Sequence, residues 1–352
     1  MRIVFITQRI DPADPVLGAT VAKIVALAAR CDEGVVLTDR AVGGALPPNT
    51  RVRLFRSGSR VGRGLRFGRA LASELSGRDR PSAVIAHMCP IYAVLAAPLA
   101  RPLGVRVLLW YAHWNRTRTL DLAVRVSTAA LSVDVRSVPV DSSKIVAIGH
   151  GIDVSEFPCG EPPDGSPHLV ALGRYSAAKG LETIVQAVGV LRKRGIDASL
   201  ECHGTRTEPA EQDHYEALVR LVTAEGLDDA VILGPPVPRG DVPLVLRRAT
   251  ALVNNMRAGA PDKVVFEAAA SCVPVLVSNP SFDDLLEGLG PLRFPRDNAN
   301  ALADAVSGLV ALSQAERSAI GHELRSRVSA RHSVDSWADA VVRLAAGQAS
   351  TS

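Results

Sequence analysis

The stretch His168-Leu-Val-Ala-Leu-Gly173-Arg174-Tyr-Ser-Ala-Ala-Lys179-Gly180 decides the fold of this 352-residue chain. The apolar run at its start predicts a buried strand, and the glycine with two cations predicts a turn. The apolar pattern that follows predicts a helix. A second stretch, Asp262-Lys-Val-Val-Phe-Glu267-Ala-Ala-Ala-Ser-Cys-Val-Pro-Val-Leu-Val, predicts the start of a helix followed by another buried strand. Open α/β sheets bind ligands at the carboxyl ends of their parallel strands, so we expect Arg174, Lys179 and Glu267 to lie there.

The same alternation of short apolar runs and helical patterns extends along the whole chain and predicts βαβ units with parallel sheets. The segment 156–167 is the densest in proline and glycine, which predicts a linker between two domains. The predicted strands are 2–7, 34–37, 52–55, 83–86, 105–110, 129–133 and 145–148 before the linker, and 169–172, 199–202, 231–233, 251–253 and 273–277 after it.

Composition favours a soluble globular protein, because 47% of the residues are apolar and the formal net charge is only +4. The five cysteines lie far apart without a CxxC pair or a Cys/His metal spacing, so we expect free thiols in a reducing compartment. The chain starts directly with a strand pattern, and its longest apolar run, 94–112, is broken by arginine and proline. We therefore expect a cytoplasmic protein without a signal peptide or membrane span.

With these motifs the chain resembles family-4 glycosyltransferases of the GT-B fold over nearly its whole length. The resemblance implies two Rossmann-like α/β domains whose parallel sheets face each other across a cleft. It implies an acceptor-binding domain at 1–157, a linker at 158–167, a nucleotide-sugar-binding domain at 168–332, and a C-terminal helix and tail at 333–352 that cross back to the first domain. The implied reaction moves a sugar from a nucleotide diphosphate donor to a hydroxyl acceptor, with retention at the anomeric carbon.

The cations of the first stretch match the family's G-R-x(4)-K-G motif, in which Gly173 forms the turn and Arg174 and Lys179 hold the donor phosphates. Fixed cations stabilise the charge that grows on a leaving diphosphate, which makes both residues catalytic candidates. Glu267 matches the second glutamate of the family's E-x(7)-E motif, whose carboxylate accepts hydrogen bonds from ribose hydroxyls. Gly259 stands where the family has the first glutamate, which contacts the donor sugar. Solvated cations and an ordinary first-turn glutamate are the alternative interpretations.

The start of the second helix is also predicted to bind the donor. Asp262 is expected to cap the helix and to hydrogen-bond the sugar. Lys263, Val264 and the first-turn N–H groups are expected to face the phosphates. A capped surface turn without a ligand explains the same pattern.

On the acceptor side, His113 matches a strand-end histidine that the family places near the donor sugar, and we assign it a catalytic role. Trp110 and Trp114 flank it and could stack on a sugar ring or pack in the core. Gly18 belongs to the family's first loop, which approaches the donor, and His150 lies in a glycine turn before the linker, where we expect it to line the cleft.

Nine arginines occur between Arg51 and Arg80. Such a cluster fits an anionic acceptor, a peripheral contact with the inner membrane face, or a solvated surface. The resemblance implies a glycan, a glycolipid or a small metabolite as acceptor and no nucleic-acid partner.

The sequence contains no Asp-x-Asp metal motif, so we expect neither a catalytic metal nor a cofactor beyond the donor substrate. Two other functions remain open. One is a nucleotide-sugar isomerase or epimerase on the same fold. The other is a degenerate nucleotide-sugar-binding protein without turnover, which Gly259 motivates.

Overall fold

The computed structural model describes residues 1–12, 14, 17–42, 46–77 and 79–348. Its contacts divide the chain into two compact units, Met1–Asp153 with Arg331–Ser352, and Val154–Ala330. We call these unit 1 and unit 2. The domain boundaries that the resemblance implies, at residues 157 and 333, differ from this division by a few residues.

In the described part of unit 1, seven strands form one sheet: β1 (Arg2–Ile10), β2 (Glu33–Ala41), β3 (Thr50–Leu54), β4 (Ala83–His87), β5 (Arg106–Trp110), β6 (Ala129–Ser132) and β7 (Ile145–Ala147). Their order is β3-β2-β1-β4-β5-β6-β7, and every neighbouring pair is parallel. All five residues of β4 are buried, as expected for a central parallel strand that is covered on both faces.

Helices connect the strands of this sheet. Two of these helices begin at a capping residue. Ser59 accepts the N–H of Gly62, and Thr117 accepts the N–H of Leu120, each as the N-cap of its helix. The helices are α1 (Ala19–Ala28), α2 (Arg60–Leu75), α3 (Pro90–Ala100) and α4 (Arg118–Val126).

Unit 2 repeats this architecture on a smaller sheet. Among its described residues the strands are β8 (His168–Leu172), β9 (Ser199–His203), β10 (Val231–Gly234), β11 (Ala251–Asn254) and β12 (Val275–Val277). Their order is β10-β9-β8-β11-β12, again all parallel. This order places β8 and β11, each of which precedes one of the two decisive stretches of the chain, side by side in the sheet.

The helices of unit 2 pack against the strands of that sheet. They are α5 (Leu181–Lys193), α6 (Pro209–Ala224), α7 (Val242–Arg247), α8 (Lys263–Ala270), α9 (Asp283–Leu286), α10 (Ala299–Val310) and α11 (Gln314–Arg331).

The last helix, α12 (Val334–Ala345), belongs to unit 1 and packs on α1. Ser333 caps it by accepting the N–H of Ser336 at 3.0 Å, as its sequence predicts. Its fully buried Trp337 meets Trp110 edge to face, with the ring centroids 5.7 Å apart. An aromatic core contact therefore joins the end of the chain to the first sheet.

Each of the strands predicted from the sequence is present, with ends that differ by a few residues. The apolar, β-rich runs were sufficient because buried parallel strands have this signature on both faces. Within the described ranges, no helix combines the length and apolar character that a membrane crossing requires.

Candidate functional site

The carboxyl ends of β8, β9 and β11 line an open pocket in unit 2. Such an edge is where open parallel sheets bind ligands. Three predicted residues, Gly173, Arg174 and Lys179, lie along this pocket. The others lining it are Ala171, Leu172, Tyr175, Leu181, Ile184, Cys202, His203, Val253, Asn254 and Asn255.

Lys179 supplies the half-buried charge of the pocket. It ends a short 3₁₀ turn, and Gly180 then takes a left-handed conformation with φ 55° to start α5. The Lys179 ammonium forms an ion pair with Asp262 and lies 3.4 Å from the Leu172 carbonyl oxygen, with 15% of its side chain exposed. A cation in this position can bind an anionic group at the edge of the sheet.

Gly173 makes room for that cation. Its φ is 136°, which side-chain-bearing residues rarely adopt, and a Cβ atom here would lie 2.6 Å from the Lys179 Nζ. The backbone conformation therefore requires glycine at this turn, and a side chain here would also displace the end of Lys179.

Arg174 lies at the outer side of the pocket, with 55% of its side chain exposed. Its Nη1 is 3.1 Å from Oε1 of the buried Glu211. Burial opposes ionisation of Glu211, but hydrogen bonds from the Thr207 N–H and hydroxyl, together with the Arg174 charge, bring its pKa below the ordinary value. Glu211 is thus a fixed anion that orients the guanidinium.

Asp262 has a different role from the predicted helix cap. It occupies the N-cap position of α8, but its carboxylate makes no capping hydrogen bond. It binds Lys179 and accepts a hydrogen bond from the Asn254 amide at 2.9 Å. The prediction of a side-chain cap was wrong because a cation and an amide donor from neighbouring strand ends compete for the same oxygen. The first-turn N–H groups of α8 consequently receive no bond from this side chain.

Glu267 is buried on α8, and two cations approach the same one of its oxygens. Lys263 Nζ is 2.9 Å and Arg239 Nη1 3.4 Å from Oε1. Arg239 also pairs with Glu156, near the start of unit 2. The cations stabilise the buried carboxylate, and both act on Oε1 rather than Oε2. Lys263 therefore lies against Glu267 in this structure, while its predicted contact with phosphate stays a prediction, as does that of Val264.

Gly259, which departs from the family motif, has φ 137°. Its carbonyl oxygen accepts hydrogen bonds from the Ser281 hydroxyl at 2.7 Å and the Asn279 amide at 3.4 Å. No atom lies within 4 Å of a Cβ built on it, so the obstacle to a side chain here is the backbone conformation. This position therefore differs from the family motif in its backbone conformation, which favours glycine, as well as in the missing carboxylate.

Sequence reasoning missed several polar residues of this region. Asn255 Nδ2 bonds the Gly180 carbonyl at 3.0 Å and Asp297 at 3.1 Å, which fixes the turn after Lys179. Asn254 holds Asp262, and Arg239 holds Glu267. The asparagines were recognisable as polar residues at the carboxyl end of β11, whereas nothing in the sequence spacing indicated Arg239.

In unit 1, the prediction that Trp110 contacts the acceptor was wrong. Trp110 is 1% exposed and packs against Trp337, and the Lys23 ammonium lies 4.5 Å from its ring centroid. The side chain belongs to the core because it is the last residue of β5 and points into the layer beneath α12. The sequence could not distinguish it from Trp114, since both are tryptophans close to the end of the same strand.

The other unit 1 candidates lie at the surface or in turns. Trp114 is 57% exposed and stacks on His113 with centroids 5.4 Å apart, and His113 Nδ1 accepts the Asn115 N–H at 3.1 Å. His150 is half-buried between Gly149 and Gly151, which both have positive φ. Their predicted roles stay predictions.

Gly18 precedes α1 with an ordinary helical backbone, φ −54° and ψ −39°, and is buried. Nothing in this conformation requires glycine, and its contact with the donor stays a prediction. Pro15 and Val16 of the same predicted loop lie outside the described residues.

The cysteines correct another expectation. Cys159 and Cys272 are joined by a disulfide, so the prediction that all thiols are free was wrong. His322 lies beside them, and the two sulfurs and one of its ring nitrogens are within 4.8 Å of one another. Residues so far apart in sequence give no spacing signal, because folding alone brings them together. The described residues contain no other such His, Cys and carboxylate group.

Residues 166–312 match the family described as Glycosyl transferases group 1. The chain is 30% identical over 116 residues to a D-inositol 3-phosphate glycosyltransferase of Arthrobacter sp. strain FB24, and 32% over 120 residues to that of Paenarthrobacter aurescens strain TC1. These matches cover 33% and 34% of this chain, but only 27% and 29% of the relatives.

Among solved structures, sucrose-phosphate synthase from Thermosynechococcus elongatus superposes with a TM-score of 0.77 at 17% identity, over 98% of both chains. Anabaena Alr3699/HepE in complex with UDP-glucose superposes with 0.74 at 15% identity, over 99% of this chain and 100% of its own. The chain has the GT-B fold. The expected fold class is confirmed, and in this GT-B protein the pocket at the end of β8 lies within the segment that matches the glycosyltransferase family.

Proposed function

We propose that the chain is a glycosyltransferase that moves a sugar from a nucleotide diphosphate-sugar to a hydroxyl acceptor, with retention at the anomeric carbon and without a catalytic metal. The observation that carries the proposal is the Lys179 ammonium beside Gly173, held at a sheet edge inside the segment that matches the glycosyltransferases. UDP-glucose is the first donor to test, because a similar structure contains it.

The chemistry follows from where charge develops. Breaking the bond between sugar and diphosphate leaves negative charge on the phosphate oxygens, and fixed cations lower the barrier by stabilising it. Lys179 and Arg174 would bind these oxygens, and the diphosphate would replace Asp262 as the partner of Lys179. The first-turn N–H groups of α8, which the Asp262 side chain does not cap, would add donors toward the same charge.

Glu267 would hold the nucleoside. Its Oε2 can accept hydrogen bonds from ribose hydroxyls while Oε1 stays with Lys263 and Arg239. The ribose is remote from the bond that breaks, so this contact serves binding more than rate. The departing phosphate can itself take the acceptor proton, and we assign no general base.

Unit 1 would supply the acceptor side through His113 and Trp114, with a glycan, a glycolipid or a small metabolite as acceptor. We include peripheral contact of Arg51–Arg80 with an anionic membrane in the proposal. On α2, Val61 and Leu65 are 75% and 67% exposed among arginines, a combination suited to an anionic lipid surface. Co-sedimentation with anionic vesicles, compared between wild type and Val61→Ser/Leu65→Ser, tests this part.

Binding without turnover is the second candidate, because Gly259 replaces a carboxylate that the resembled family directs at the donor sugar. One measurement distinguishes the two functions, namely the release of nucleoside diphosphate from the donor when no acceptor is present. A transferase hydrolyses its donor slowly without acceptor, whereas a binding protein shifts its melting temperature with the donor and releases no nucleoside diphosphate.

The experiment is a thermal-shift panel of nucleotide sugars followed by a turnover assay on each ligand that binds. A ligand at 100 times its Kd stabilises the protein by about 2.7 kcal/mol. Turnover by the disulfide form in excess EDTA is the expected result. A panel without any stabilising donor would refute a nucleotide-sugar function of either kind, and turnover that requires added Mn²⁺ would refute metal independence.

A further inference from the structure

Three parts of unit 2 that are distant in sequence meet at one cluster of side chains of the kinds that bind metal ions. Cys159 follows the first turn of the unit, Cys272 follows α8, and His322 lies on α11. The two cysteines are 113 residues apart, and Cys272 and His322 are 50 residues apart. None of the three is among the residues that line the pocket at β8.

The spacing of the cluster fits a metal ion. Cys272 Sγ lies 3.6 Å from His322 Nδ1, and all three ligand atoms are within 4.8 Å of one another. A tetrahedral zinc ion with bonds of about 2.3 Å to sulfur and about 2.05 Å to nitrogen separates such ligands by about 3.5 Å. The sulfur and nitrogen atoms are therefore already at the separation that a shared ion imposes.

The segments around the cluster also contact one another through groups other than the disulfide. The Arg325 guanidinium donates hydrogen bonds to the carbonyl oxygens of Phe157 and Ala270, each two residues before a cysteine of the cluster. A Cβ on Gly321 would overlap the Cys272 carbonyl, so α11 touches the Cys272 turn directly beside His322. These contacts join the three segments through groups other than the two sulfur atoms.

We propose that the reduced cluster of Cys159, Cys272 and His322 is a binding site for a thiophilic divalent cation such as Zn²⁺. Two thiols lose their protons as the ion binds, giving two metal–sulfur bonds, one metal–nitrogen bond and two released protons. Cys272 is buried, Cys159 half-buried and His322 exposed, so water completes the coordination from the solvent side.

The disulfide and the metal complex exclude each other, because both use the same sulfur atoms. Reduction by a phosphine takes up one water molecule and gives two thiols and the phosphine oxide. The structure shows the disulfide form, and metal binding requires the dithiol form.

The test uses the full chain, reduced with a phosphine in metal-free buffer and titrated with Co²⁺ as a spectroscopic substitute for Zn²⁺. We expect one Co²⁺ per chain, a thiolate-to-cobalt absorption band, and loss of the band when Zn²⁺ is added. The oxidised chain, Cys159→Ser and Cys272→Ser should show no band. His322→Gln should bind Co²⁺ at least about tenfold more weakly, since even outer partners of metal ligands contribute that much.

The matched controls are Cys31→Ser and Cys89→Ser, which remove half-buried thiols outside the disulfide and should bind Co²⁺ like wild type. Circular dichroism of each reduced variant establishes that it is folded. If folded Cys159→Ser or His322→Gln binds Co²⁺ as tightly as wild type, or if the oxidised chain does, the proposal is wrong. The disulfide alone predicts no effect of His322, so that variant separates a metal site from a plain cross-link.

Discussion

Lys179 and Asp262 form an ion pair although 83 residues separate them in the sequence. The pair joins the turn after β8 to the start of α8, and the Asn254 amide donates to the same carboxylate oxygen at 2.9 Å. In the proposed function the diphosphate takes the place of Asp262. The pair therefore keeps the phosphate position preorganised before the donor arrives, because the ammonium is already at the sheet edge.

The first prediction separates the cations from Glu267. Arg174→Ala and Lys179→Ala should each lower kcat by about a hundred- to a thousandfold, since their contact strengthens as charge develops. Glu267→Gln should mainly raise KM for the donor. Arg194→Ala is the control, because it removes an exposed pair with Asp304 on the same unit. Unchanged kcat in both pocket variants would exclude this site as the donor site.

The second prediction concerns Asp262, whose carboxylate competes with a bound diphosphate for Lys179. Asp262→Asn should tighten the binding of a nucleoside diphosphate by up to about fivefold, because it removes a pair worth about 1 kcal/mol that the ligand must replace. Isothermal titration calorimetry measures the change. Weaker binding would mean that the Asp262 carboxylate itself contacts the ligand.

The third prediction tests the close approach of Gly173. Gly173→Ala should weaken nucleoside diphosphate binding by about tenfold or more, because a Cβ would displace the Lys179 ammonium and one charged contact would be lost. Gly226→Ala is the matched control, since Gly226 also has positive φ but no atom within 4 Å of a Cβ. Equal losses of affinity in both variants would attribute the effect to backbone strain.

The fourth prediction is a loss of stability in acid. Burial lowers the pKa of His332 to about 4, with the Arg331 charge acting in the same direction and Asp134 opposing it. The unfolded chain binds the proton more readily than the folded chain does. The contribution of neutral His332 to the free energy of unfolding is therefore complete above pH 6.5 and disappears as the pH falls toward 4.

The shift corresponds to at most about 3 kcal/mol, reduced by solvent at this half-buried side chain. Urea unfolding of His332→Gln at pH 7 and pH 5 should show a smaller drop in the free energy of unfolding than wild type. An equal drop would assign the acid sensitivity elsewhere, for example to the buried His87, whose pKa burial and Lys23 also lower.

The fifth prediction compares two tryptophans of unit 1. Trp337→Ala should cost about 3–5 kcal/mol of unfolding free energy, since it removes a fully buried side chain from its contact with Trp110. Trp114→Ala, at an exposed position, should change stability by no more than about 0.5 kcal/mol. Its proposed role predicts a raised KM for the acceptor instead, and unaltered acceptor kinetics would remove Trp114 from the site.

How far the sequence could predict this site depends on the kind of signal. Gly173, Arg174 and Lys179 were predictable because a buried strand ends at a glycine turn, and such turns lie at the ligand-binding edge of a parallel sheet. The partners of these residues were not. Glu211 reaches Arg174 from α6, and Arg239 reaches Glu267 from the turn before α7, so no spacing along the chain links them to the region.

The sequence by itself determined the strands, the two-unit α/β architecture and the positions of the phosphate-binding candidates, because local apolar periodicity and turn residues act within a few positions of the chain. Only the tertiary structure decided that Trp110 lies in the core, that Asp262 pairs with Lys179 rather than capping its helix, and that Cys159 meets Cys272 and His322. These outcomes depend on which distant side chains compete for the same buried space, and that competition exists only after the chain has folded.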